Sequence, residues 1–91
     1  MSYYCYILES EATGHLYIGQ TNNLEDRLLR HNSGRNKYTK GKGSWKLIHE
    51  EKFETRSEAV QLEIELKKWK NPRRVRTWIE KRKQLDSVSR L

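Results

Sequence analysis

The chain has 91 residues, of which 34% are hydrophobic and 34% charged, enough for one domain with one modest core. Lys and Arg outnumber Asp and Glu by 19 to 12, giving a formal charge of +7 and a pI near 9.7, which points to a polyanionic partner. The single cysteine, Cys5, excludes an internal disulfide and sits in an apolar run as a buried thiol. No signal-peptide pattern and no apolar run near ~18 residues appear in this sequence, so the expected setting is cytoplasmic, with no membrane partner.

"YYCYIL", from Tyr3 to Leu8, is aromatic and aliphatic and predicts a strand. The polar "ESEATG" follows as a turn, and Leu16 to Ile18 predicts a second short strand, which together make a β-hairpin. A turn centred between Glu11 and Ala12 sets Tyr6 opposite Tyr17, with both phenols on one face. A slip of one residue would separate them.

"TNNLEDRLLRHN" has helix-start chemistry, with Asn22 as the expected N-cap, Glu25 three residues on, and Glu25 and Asp26 in the first turn. At ~100° per residue, Leu24, Arg27, Leu28 and His31 share one arc. Arg27 and His31 therefore flank the buried stripe. From Arg27 through His49 the chain carries seven Lys or Arg and no acid, much of it in the loop "NSGRNKYTKGKGS". "WKLIHEEKF", Trp45 to Phe53, predicts a third strand.

"TRSE", Thr55 to Glu58, is a capping box that opens a helix to about Lys70. Ala59, Leu62, Leu66 and Trp69 form its main apolar stripe, and Val60 and Ile64 widen it, with Glu63 projecting between the two groups. A carboxylate in that position needs a cation, either a Lys or Arg partner or a divalent metal. Asn71 and Pro72 end this helix and start another as N-cap and first residue. Val75, Trp78, Ile79 and Arg82 share one face of the last helix. The domain is expected to span 1–84, with a flexible tail over 85–91. His15 and His49 lack metal-site spacing and read as surface or packing residues.

Tyr6, Tyr17, Arg27, His31, Tyr38 and Glu63 are the residues that chemistry would use. Phosphodiester hydrolysis needs a base, positive charge at the phosphate, and often a metal. Paired hairpin tyrosines also serve as plain packing, so no one of these residues decides the matter.

Their order is more specific. Tyr4-Cys5-Tyr6, ten residues, Tyr17-Ile18-Gly19, then Arg27-x-x-x-His31, then Glu63 on a later helix resembles the GIY-YIG nuclease family. Tyr4-Cys5 replaces the Gly-Ile of the first triplet, while its tyrosine, Tyr6, is kept. "YTKGKGSWKLIHEEKFETRSEAVQLEIELKKWK" is similar to the small stand-alone bacterial members, relatives of the nuclease module of a DNA-repair incision protein. The likeness runs from about Tyr3 to Trp78.

The resemblance implies an α/β (α+β) fold, a small three-stranded antiparallel sheet flanked by helices, and single-metal, tyrosine-assisted cleavage of DNA. By position, Tyr6 is the general base and His31 accepts or relays its proton. Tyr17 orients water or phosphate, Arg27 stabilises the transition state, and Glu63 holds one Mg²⁺ or Mn²⁺. Tyr38 and Lys40 resemble loop residues that line the site, and Asn71 is matched equally by its capping role. Lys37, Tyr38, Lys40, Lys42, Arg73, Arg74 and Arg76 are expected to contact nucleic acid. The expected partner is DNA, structure-specific or non-specific, bound by a monomer or weak dimer without a small-molecule cofactor. The alternative is a catalytically inactive basic binding module of the same fold. "EEK", Glu50 to Lys52, resembles a restriction-type site but lacks a suitable upstream acid.

Overall fold

A computed structural model describes residues 2–33 and 43–89 of the chain. It is α+β, with six elements in the order β1 (Tyr3–Ser10), β2 (Leu16–Thr21), α1 (Leu24–Asn32), β3 (Trp45–Phe53), α2 (Arg56–Lys68) and α3 (Pro72–Ser89). The three strands form one antiparallel sheet in the order β2-β1-β3. Lys37, Tyr38, Lys40 and Lys42 lie outside the described residues. Among the described residues, no helix is long and apolar enough to cross a membrane.

Alternation along β1 divides the core. Cys5 and Ile7 face one side, where Leu66 of α2 and Val75 and Ile79 of α3 close over them. Tyr6 and Leu8 face the other side and pack with Trp45, Tyr17, Leu24 and Leu28. Each fully buried aliphatic side chain contributes about 1.5–3 kcal/mol, so both faces matter in so small a domain. A β-bulge opposite Ile7 and Leu8 shifts the β3 register from His49 to Leu47. The extra residue, Ile48, joins the Cys5 cluster.

The hairpin register differs from the expected one. Tyr6 pairs with Gly19, and Tyr17 pairs with Leu8. The turn is longer on the β2 side, because Gly14 at φ 76° lets its amide donate to the Ser10 carbonyl at 2.9 Å. Tyr6 has moved by two places relative to its partner strand, so both tyrosines still share a face.

The helix starts follow local polar chemistry. Asn23, rather than Asn22, caps α1, its side chain accepting from the Asp26 amide at 3.0 Å. The Thr21 hydroxyl accepts from the Asn23 amide at 3.1 Å and so selects the second of two adjacent asparagines. Thr55 caps α2, accepting from the Glu58 amide at 3.3 Å, and Asn71 caps α3 through the Arg73 and Arg74 amides. Helix α3 runs on to Ser89, past the residue-84 boundary drawn for the tail.

Candidate active site

Three rings meet on the α1 face of the sheet. β1 supplies Tyr6, β2 supplies Tyr17, and the last turn of α1 supplies His31. The Tyr6 and Tyr17 ring centroids lie 6.2 Å apart, and Tyr17 sits 4.4 Å from the imidazole of His31. Tyr6 Oη and His31 Nε2 are hydrogen-bonded at 3.2 Å. Tyr6 is 1% and His31 2% exposed, whereas Tyr17 is half-buried. Tyr17 therefore presents more of its surface to solvent than the pair behind it.

Gly19 makes this arrangement possible, and its role was not drawn from the sequence. It lies directly opposite Tyr6, and a Cβ there would fall 2.6 Å from Tyr6 Oη, 2.7 Å from Cζ and 3.1 Å from a Tyr17 ring carbon. The phenol of Tyr6 occupies the space a side chain would need. The signal was in the Tyr17-Ile18-Gly19 triplet, but the reason lies across the hairpin.

Electrostatics keep the pair neutral. Burial pushes the Tyr6 phenol well above its usual value of 10.0, and Tyr17 raises it further, while the guanidinium of half-buried Arg27 opposes the rise. Burial, then the charge of Arg27, lowers the imidazole of His31 below 6.5. Arg27 thus favours negative charge on Tyr6 and disfavours positive charge on His31. With a neutral imidazole protonated on Nδ1, Tyr6 donates to Nε2.

Glu63 approaches from α2, on the opposite side of the sheet from α1. Its charge raises both Tyr6 and Cys5, so it lies within electrostatic reach of the cluster. Its Oε2 accepts from Lys67 Nζ at 2.6 Å, and its side chain is 19% exposed. Of the two cations considered for Glu63, the structure shows the lysine partner. Cys5 is buried and its thiol is pushed up to about 12, first by burial and then by Glu63 and Glu51. It is a packing residue.

The remaining candidates separate. Arg74 stacks over Trp69 at 4.4 Å from the ring centroid, beside exposed Arg73. Arg76 is engaged elsewhere, donating to the Glu9 carboxylate and to the Gly14 carbonyl. His15 is exposed and bonded to Thr13, and His49 packs edge-on against Trp78 at 5.1 Å. Asn71 is used by the α3 cap. The sequence also gave no notice of Asn32, whose amide both donates to the Trp45 carbonyl and accepts from its N–H. This bidentate bond fixes the end of α1, next to His31, against the start of β3.

Comparisons with known proteins find relatives over most of the chain. A UPF0213 protein of Bacillus licheniformis is 43% identical over 84 residues, spanning 91% of this chain and 86% of its own. A UPF0213 protein of Bacillus pumilus is 44% identical over 69 residues, spanning 75% and 69%. A UPF0213 protein from Bacillus halodurans, solved by solution NMR, is 36% identical, with a TM-score of 0.48 and coverage of 97% of this chain and 85% of that one. The GIY-YIG catalytic domain matches residues 2–77, a span holding the tyrosine pair, Gly19, Arg27, His31 and Glu63, and the chain therefore belongs to the GIY-YIG family, a catalytic domain of the nuclease type.

Proposed function

We propose that the protein is a divalent-metal-dependent DNA endonuclease that uses Tyr6, Tyr17, Arg27 and His31 on the phosphate and Glu63 on the metal. The observation that carries this reading is the hydrogen-bonded Tyr6–His31 pair beneath Tyr17, with Arg27 charging its surroundings. Packing alone requires neither a buried imidazole nor a cation tuning it.

The donor set fits Mg²⁺ or Mn²⁺. Glu63 is a hard oxygen donor, largely shielded from solvent, and its carboxylate already meets a cation in Lys67. No group of three His, Cys, Asp or Glu residues is arranged for a metal among the described residues. One carboxylate can serve an ion that keeps several waters and takes substrate phosphate oxygens as further ligands. When bound, the ion would supply Lewis-acid charge stabilisation.

The protein's own groups move the proton. Tyr17 orients a water at the phosphate, and that water attacks phosphorus as it releases a proton to Tyr6 Oη. Tyr6 passes its own proton to His31 Nε2, so the phenol ends neutral and the imidazole charged. The phosphorus–oxygen bond to the sugar then breaks, the departing oxygen takes a proton from solvent, and His31 returns to neutral by giving its proton back to solvent. Arg27 donates to the nonbridging oxygens as their charge grows. This division differs from a free phenolate base, because burial disfavours charge on Tyr6 and leaves His31 neutral to receive the proton.

Incubation of the wild-type protein with labelled single-stranded, duplex, flapped and branched DNA tests the proposal. Cleavage of at least one form with Mg²⁺ or Mn²⁺, abolished by chelator, is expected. Binding without cleavage of any form would transfer the protein to the inactive binding-module reading.

A further inference from the structure

The ion pair between Glu63 and Lys67 differs from an ordinary helix staple. Asp26 and Arg30 form such a staple on α1, with both side chains 51% exposed and a separation of 3.3 Å. In the α2 pair the spacing is the same, four residues, but the contact is 2.6 Å and the carboxylate is 19% exposed against 53% for the lysine. The carboxylate is largely shielded from solvent, and the lysine stands mostly in it. Lys suits departure, being a point charge on a flexible stem rather than a planar fork.

The structure also provides somewhere for it to go. Lys67 and Lys70 sit at an open, mostly apolar groove of about 410 Å³ lined also by Leu16, Ile18, Leu66 and Val75. Tyr17 belongs to β2, whose Leu16 and Ile18 pack on the α2 side while the Tyr17 ring stacks on His31 on the other.

We propose that Lys67 holds the place of the metal at Glu63 and, when a divalent ion takes that carboxylate, hands its ammonium over to a neighbouring DNA phosphate. The inference rests on the metal role proposed for Glu63. An ammonium and a divalent ion repel each other at one carboxylate, so arrival of the ion expels Lys67. Until then the pair keeps an unbalanced carboxylate from repelling DNA. The exchange couples metal binding to substrate binding through one side chain.

Two measurements test it, both independent of cleavage. Mn²⁺ binding without DNA, followed by electron paramagnetic resonance or calorimetry, should tighten about tenfold in Lys67→Met, which removes the competing charge. At a fixed Ca²⁺ concentration the log–log slope of duplex affinity against salt should be about one unit steeper in the wild type than in Lys67→Met, an increment absent without Ca²⁺. Lys67→Gln should reproduce both effects, which separates lost charge from altered packing. Unchanged Mn²⁺ affinity in both variants overturns the handover while leaving the metal role of Glu63 standing. Tighter Mn²⁺ binding with an unaltered salt increment overturns the transfer to phosphate. Equal Mn²⁺ binding by wild type and Glu63→Gln overturns the metal role and the handover together.

Discussion

Tyr6 and Gly19 act as a unit, the bulk of one depending on the absence of a side chain in the other. Gly19→Ala would set a methyl 2.6 Å from the phenolic oxygen, and so Tyr6 must rotate or β2 must shift. Thermal or denaturant unfolding should show a loss of about 1–3 kcal/mol, as for other overpacked cores, together with loss of the Tyr6–His31 hydrogen bond by NMR. His31 makes a second prediction at this scale. Its folded-state pKa is depressed from 6.5, so below pH 6.5 the unfolded chain binds a proton that the folded chain resists. The contribution of this group to stability is complete above 6.5 and is lost as pH falls through the folded value. An NMR titration of the imidazole should place its midpoint below 6.5, and cleavage should decline over the same acidic interval as the proton acceptor fills. A midpoint above 6.5 would contradict the neutral-pair reading.

Helix α3 is held to the sheet by two partly exposed arginines. Arg76 joins the Glu9 carboxylate on β1 and the Gly14 carbonyl in the hairpin turn. Arg82 places two nitrogens on Glu51 of β3 at 2.7 and 3.0 Å while covering Trp78. Arg76→Ala should lower unfolding stability by about 1 kcal/mol, since the ion pair is partly exposed. It should also let the Glu9 carboxyl, held low chiefly by that hydrogen bond, return toward 4.5. A carbon-detected titration of Glu9 checks the second effect. The elements themselves were legible because period-two and helical patterns, capping threonine and Asn71-Pro72 are local signals. Register and caps were less so. Residues 11–15 permit more than one turn, and only Gly14 at positive φ with its bond to Ser10 selects the one formed. Asn22 and Asn23 have the same capping chemistry, and the choice falls to a hydroxyl outside the helix. The clustering of Tyr6, Tyr17 and His31 survived the register difference because a two-residue shift preserves facing. The task of Arg76 was hidden because its partners are distant in sequence.

Across the whole molecule, the +7 charge is divided between cations already paired and cations left for a polyanion. Arg73 and Arg74 lie exposed on the first turn of α3, and Arg74 stacks on Trp69. The double variant Arg73→Gln, Arg74→Gln should flatten the log–log dependence of duplex affinity on salt by about 2 units. Arg76→Gln should change that slope little, because its charge is spent on Glu9; a loss equal to that of Arg73 or Arg74 would contradict this division. The central claim is that a site built from both sides of the sheet cleaves phosphodiesters with one metal at Glu63. Glu63→Gln tests it most directly, keeping the shape of the side chain while removing the charge a divalent ion needs. Metal-free DNA affinity should persist or rise, because one negative charge is gone. Cleavage per folded molecule with Mg²⁺ or Mn²⁺ should fall at least ~100-fold, the scale of one lost transition-state contact of about 2.7 kcal/mol. Cleavage at the wild-type rate by folded Glu63→Gln would contradict the account.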